Sequence, residues 1–252
     1  MKPPWSKYVD VGRESRRERC VTARGDHRLE EALRDLTAAL SATGAPWMVI
    51  GGIAVIARGV RRFTADIDAA IRGDEVSIDK LLAVLAQKSI APRIDDAAQF
   101  ARENLVLLLR HQPSGVEFDV SLAWTEFEHE AIAAATVAAF GAVKAPMARP
   151  EDLVVFKAIA GRGKDMDDVA ALLALYPKLD LARVRARVRE LAALADTPEL
   201  ARGLDSAIES AGARIASKPA KTSTPRKRPA RKARPRATTK AATKKPTRKT
   251  KR

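Results

Sequence analysis

MVIGGIAVIARGVRRFTADIDAAI, residues 48–71, is the stretch on which the reading of this chain turns. It is mostly apolar, yet Asp66 and Asp68 stand near its end with one isoleucine between them. WMVI (47–50) reads as a short buried strand, Gly51-Gly52 as the opening of a small apolar helix, and FTADIDAAI (63–71) as a second, alternating strand. Residues two apart on a strand share a face, about 6–7 Å apart along the chain. Two ionised carboxylates at that spacing repel by about 2–3 kcal/mol at an effective dielectric near 20. Thr or Ser would give the strand polarity without that repulsion. Paired acids make sense where a hard divalent cation such as Mg²⁺ is held, since oxygen-seeking ions take carboxylate ligands. A strand end entering solvent is the plainer alternative.

A second strand, VEFDVSL (116–122), offers a third acid in Asp119, with Glu117 two residues earlier on the same face. Glycines between a strand and a helix let backbone amides approach an anion. Gly-Gly, thirteen residues, Asp-Ile-Asp and a third acid on a separate strand therefore fit metal-assisted nucleotidyl transfer. Arg62 and Thr64 alternate with Asp66 and Asp68, which places them near the same site as candidate nucleotide-binding residues; a structural salt bridge from Arg62 is the competing account.

Outside these strands, helical spacing appears at His27–Ala42, at 77–88 and at 165–176. It recurs in LARVRARVRELAALA and PELARGLDSAIESAGARIA. Another helix opens at Pro150-Glu-Asp, with proline in the first turn and acids near the N-terminus. LVLLLR (105–110) is a strand linked to 116–122 through the turn-rich His111–Gly115. The expected fold is α/β: a small mixed-sheet core at 26–145, after a flexible lead at 1–25, then a helical half at 146–216 and a disordered tail at 217–252.

The net charge of +15 is unevenly placed. Sixteen of the 46 Lys and Arg fall within 218–252, which holds no acid, so residues 1–217 are left at −1. The tail is rich in Pro, Thr and Ala and has nothing large and apolar to bury. It suits sequence-tolerant contact with a nucleic acid, RNA before DNA, as it has no aromatics to stack on bases. A solubilising extension is the bland account. No apolar run reaches the roughly 18 residues of a membrane-spanning helix. With a lone cysteine, Cys20, and no secretory leader pattern, a cytoplasmic protein is expected. His27, His111 and His129 have no metal-ligand spacing.

Gly51-Gly52, Arg62-Phe-Thr64-Ala-Asp66-Ile-Asp68 and the downstream Asp119 resemble the DNA polymerase β-type nucleotidyltransferase superfamily. The narrower likeness is to minimal nucleotidyltransferases and AbiEii-type toxin nucleotidyltransferases. It is supported by the block from Arg149 to Asp168, with Lys157, Arg162 and Lys164-Asp165. The resemblance implies Asp66, Asp68 and Asp119 as catalytic ligands of Mg²⁺, in a two-metal site, with Asp119 helping to activate a hydroxyl. It also implies that Gly51, Gly52, Lys157, Arg162 and Lys164 face the triphosphate of an NTP. For Lys157 a solvated helix face is an equal alternative, and Asp165 and Asp168 are expected to cap the next helix. Many relatives carry Gly-Ser where this chain has Gly51-Gly52. An RNA acceptor and an antitoxin partner follow for a toxin-like member; a small-molecule or protein acceptor, or a silent nucleic-acid-binding fold, are the rivals.

Overall fold

The structure is a computed structural model that describes residues 27–216. The lead at 1–25, Cys20 and the tail at 217–252 lie outside the described residues. Helix α1 (His27–Thr43) turns Leu29, Leu33, Leu36 and Leu40 inward at helical spacing, and Gly44-Ala-Pro46 delivers the chain into β1 (Trp47–Ile50). Gly51, at φ +63°, bends the chain straight into α2 (Gly51–Ala57). Strand β2 runs over Asp66–Arg72.

After α3 (Ile78–Ala86), β3 (Ile90–Pro92) and α4 (Ala97–Asn104) come the long pair β4 (Val106–His111) and β5 (Glu117–Ala123). Then α5 (Glu126–Ala133) leads to the hairpin of β6 (Thr136–Phe140) and β7 (Val143–Met147). The strands form one mixed sheet in the order β3-β4-β5-β2-β1-β7-β6. The β2–β5 and β1–β7 pairs are parallel and the others antiparallel. The α/β expectation therefore holds.

Strand β2 begins three residues later than the alternation of FTADIDAAI suggests. Its parallel partner β5 begins at Glu117, opposite Asp66, so residues 63–65 have no ladder to join. Phe63 is left exposed. Helix α5 has a clear local cause: Thr125-Glu-Phe-Glu128 is a reciprocal capping box, with Thr125 and Glu128 satisfying each other's backbone amides.

The last third folds as α6 (Pro150–Ala160), α7 (Gly163–Leu175), α8 (Leu181–Ala195) and α9 (Glu199–Ala216). Helix α6 packs on α7, α8, α9 and, from the sheet side, α2. Its buried Leu153, Val154, Val155 and Ile159 belong to the same apolar cluster as α1 and the sheet. Among the described residues no helix is long and apolar enough to cross a membrane.

A carboxylate with no solvent exposure, Asp152, ties the helices together: Arg149 Nε donates to it at 2.8 Å and Arg183 Nη1, from α8, at 2.9 Å. Arg187 of the same helix pairs with Glu130 of α5. Removing Asp152 would leave two partly buried cations without their shared acid. Asp152→Ala is expected to lower stability by about 2–4 kcal/mol, read as a fall in the urea midpoint.

Candidate active site

The parallel register of β2 on β5 sets Asp66 beside Glu117 and Asp68 beside Asp119. Parallel partners point to the same side of a sheet, so four half-buried carboxylates share one face, while Ile67, Phe118, Ala69 and Val120 are buried on the other. Antiparallel β1 adds Ile50 opposite Asp68, which brings the Gly51 turn over that carboxylate.

The two glycines have a measurable reason to be glycine. A Cβ on Gly51 would lie 1.8 Å from Asp68 Oδ2, and one on Gly52 would lie 2.4 Å from Thr64 Oγ1. The missing side chains are thus filled by the Asp68 carboxylate and the Thr64 hydroxyl. A serine in place of Gly52, as many relatives have, would collide with Thr64 in this arrangement. Thr64 is buried and donates to Asp66 Oδ1 at 2.8 Å, fixing that carboxylate from outside the strand.

Facing the acids is a cationic cluster from the helical half. Lys157, on α6, is buried, contrary to a solvated-face role. Its Nζ lies 2.9 Å from Asp165 Oδ1 and 3.0 Å from Asp168 Oδ2. Arg162 Nε donates to Asp165 Oδ2 at 2.5 Å, and Arg62 pairs with Asp168. The structural salt bridge weighed for Arg62 is therefore present. Lys164 is exposed in the first turn of α7.

Asp165 and Asp168 depart from the capping account. The α7 N-cap is Arg162, with no side-chain cap hydrogen bond, and both carboxylates accept from cationic side chains instead. Their membership of this cluster is hidden in the sequence because their spacing also suits a helix start. Arg93, just beyond β3, is a residue that sequence reasoning missed altogether: it reaches Glu117 Oε2 at 3.0 Å and pairs with Asp119. No spacing in the sequence relates Arg93 to Asp119; a three-residue strand makes the link.

Electrostatics follow from this layout. Burial pushes the Asp68 carboxyl up to about 7, with the charges of Asp66 and Asp119 adding to the rise and those of Lys157 and Arg162 opposing it. Burial also acts to raise Asp165, but the hydrogen bond from Arg162 and the charge of Lys157 outweigh it and hold that carboxyl below the usual range. At Asp68 burial and the acidic neighbours thus outweigh the two cations, whereas at Asp165 the cations outweigh burial.

Residues 27–202 match the family described as "Nucleotidyltransferase of unknown function (DUF6036)". The chain belongs to this nucleotidyltransferase family. No curated protein matches it. Among solved structures, the antibiotic-resistance factor ANT(2'')-Ia is 17% identical, with 77% of this chain and 95% of that one covered and a TM-score of 0.39. An antigenic nucleotidyltransferase-like protein from Paracoccidioides brasiliensis is 16% identical over 72% and 94%, at 0.44. JHP933 from Helicobacter pylori is 14% identical over 76% and 94%, at 0.37. Likeness at this level carries no functional weight; the family match does. The narrower tie to AbiEii-type toxins is not among these matches.

The donor set of this nucleotidyltransferase suits a hard divalent cation. Asp66 and Asp68 share a face and Asp119 stands beside Asp68, three oxygen donors of the kind such a cation takes. Among the described residues, however, no three acid or imidazole groups already converge as a ligand set. Asp119 is engaged by Arg93 instead.

The raised Asp68 carboxyl makes a signed prediction for metal-free protein. A carboxyl raised in the folded state from 3.8 to about 7 binds a proton that the unfolded chain releases. Folding stability therefore falls as pH climbs through that window and stays low above it. In chelator, Asp68→Asn is expected to stabilise the protein at pH 8 by roughly 1–3 kcal/mol, with little effect near pH 4. Thermal unfolding at the two pH values measures the difference.

Proposed function

We propose that this protein moves a nucleoside monophosphate from an NTP to an acceptor hydroxyl, with Mg²⁺ held by Asp66, Asp68 and Asp119. The observation that carries the proposal is the register that seats Asp68 beside Asp119 on the face toward which Lys157 and Arg162 direct positive charge. In this account the triphosphate lies between the Gly51-Gly52 turn and Lys157, Arg162 and Lys164. Arg62 and Thr64 keep the intervening segment in place through Asp168 and Asp66. Arg62, Lys157 and Arg162 pair with the carboxylates of Asp165 and Asp168, and the charges of Lys157 and Arg162 also reach Asp68.

Bound Mg²⁺ supplies charge neutralisation at the phosphoryl oxygens. Asp119 accepts the proton of the attacking hydroxyl. A new bond forms from that oxygen to the α-phosphorus as the bond to pyrophosphate breaks, and Lys157 and Arg162 balance charge on the leaving group.

For the acceptor we propose RNA. The sixteen cations of 218–252, with no acid among them, suit a polyphosphate chain. An AbiEii-like toxin role with an antitoxin partner, and a cytoplasmic setting, belong to the same proposal and rest on the motif resemblance and the composition.

Incubation with labelled NTPs, Mg²⁺ and total RNA tests the proposal. Label should pass to RNA, and Asp66→Asn with Asp68→Asn should cut transfer by more than about a hundredfold while leaving the far-ultraviolet dichroism unchanged. Retained activity in the double variant would defeat the site assignment. Label on a protein or small molecule would defeat the RNA acceptor alone.

Tail deletion gives a further outcome. Without residues 218–252, the dependence of log K for single-stranded RNA on log salt should flatten by about 0.7 for each phosphate that the tail neutralises. Equal slopes for the full and shortened chains would remove the tail as the anchor.

A further inference from the structure

Five positions fall in one row across the sheet. Ile50 of β1 opposes Asp68 of β2, Asp68 lies beside Asp119 of β5, and Asp119 opposes Leu108 of β4. Pro92 of β3 opposes Leu109, and the next amide, Arg93 N, donates to Leu108 O at 3.0 Å. Arg93 thus enters the row from the β3 end. Its guanidinium crosses β4 to pair with Asp119, and its other arm, Nη1, meets Glu117 Oε2 at 3.0 Å. Glu117 also accepts from Arg110 Nη2 at 2.9 Å.

Two details mark this fork as poised rather than locked. The Arg93 Nε is buried without a hydrogen-bond partner, so the guanidinium is not fully satisfied where it stands. The Asp119 side chain is 40% exposed, against 17% for Arg93, so the carboxylate is the member of the pair that solvent and a solvated cation can reach. Glu117 can keep the guanidinium after Asp119 leaves it.

We propose that Arg93 is a positioning residue that holds Asp119 aside and yields it when a divalent cation enters at Asp66 and Asp68, Glu117 retaining the guanidinium. The third carboxylate then joins the site on loading, and a nucleotide-free protein holds the cation weakly. This rests on the metal-site reading of Asp66, Asp68 and Asp119 given above. The contrary account is a staple: Arg93 fastens the segment after β3 to β5 and has no bearing on cation affinity.

Mn²⁺ titration of the nucleotide-free, full-length protein, followed by the electron paramagnetic resonance of the free ion, separates the two. Arg93→Gln should tighten Mn²⁺ by about two- to fivefold, the factor matching release of one partly exposed ion pair. The gain should vanish when Asp119→Asn is added, since the carboxylate being released is then gone. Arg93→Lys, which keeps the charge and cannot fork across two carboxylates, should fall between wild type and Arg93→Gln, and it decides the matter if the glutamine variant does not fold. Unchanged or weaker Mn²⁺ binding in Arg93→Gln, with a lowered melting temperature, would overturn the proposal in favour of the staple. A gain that persists with Asp119→Asn would overturn it as a general field effect of one missing cation. Asp68→Asn keeps the two levels apart. Mn²⁺ binding that ignores Asp68 defeats the metal-site reading itself, whereas binding that needs Asp68 but ignores Arg93 defeats only the role of Arg93.

Discussion

The structure depends on one unfavourable contact: the β2–β5 register that sets Asp68 against Asp119 while Asp66 stands two residues away. A parallel pair can slide only in steps that keep apolar side chains on the buried face, so Ile67, Phe118 and Val120 keep all the acids together on the opposite face. Hydrophobic burial on one side of the sheet thus holds like charges together on the other. What surrounds them is a set of accommodations to that. Gly51 gives up a side chain so that the Asp68 carboxylate can sit against the backbone, and Thr64 fills the space above Gly52 while bonding Asp66.

The helical half is part of the same electrostatic problem. Lys157 would be costly to bury alone, and Asp165 and Asp168 make its burial tolerable. The same acids fix Arg162 and Arg62, so α6, α7 and the segment before β2 are joined through one charged cluster. The cluster lies toward Asp68 closely enough to oppose the rise in its carboxyl. Packing of α6 on α2 then sets the distance between cations and acids, because α2 starts at the glycine turn over Asp68. A change in the apolar packing between those helices would therefore be felt as a change in charge balance at the sheet.

How much of this was legible in the chain follows from how local each cause is. Strand β1, the turn at Gly51 and the helices α6, α8 and α9 were readable because periodicity and glycine or proline punctuation act within a few residues. Asp66 and Asp68 were readable as a same-face pair because alternation fixes their faces, whereas the place of Asp119 beside Asp68 comes from the β2–β5 pairing. β6 and β7 were not: Thr136–Phe140 is alanine-rich and mostly exposed at a sheet edge, and β7 contains Pro146, which argues against a strand. Lys157 and Asp165 illustrate the harder case. Each has an ordinary local explanation, a solvated helix face and a helix start. Only the α6–α7 packing removes both.

Arg93 is the furthest from local legibility, and its position bears on why four carboxylates occur where three would suffice. A face with Asp66, Asp68 and Asp119 alone would leave Arg93 with a single acid, and displacing it by a cation would strand a buried guanidinium at considerable cost. Glu117, held two residues before Asp119 and already shared with Arg110, gives the arginine somewhere to remain. Two features that look redundant, an extra acid and an arginine between the acids, are then complementary: the arginine lowers the repulsion along the face, and the extra acid makes Asp119 dispensable to that arginine. On this account the register that crowds the carboxylates is tolerable because one edge of the crowd carries its own counter-charge.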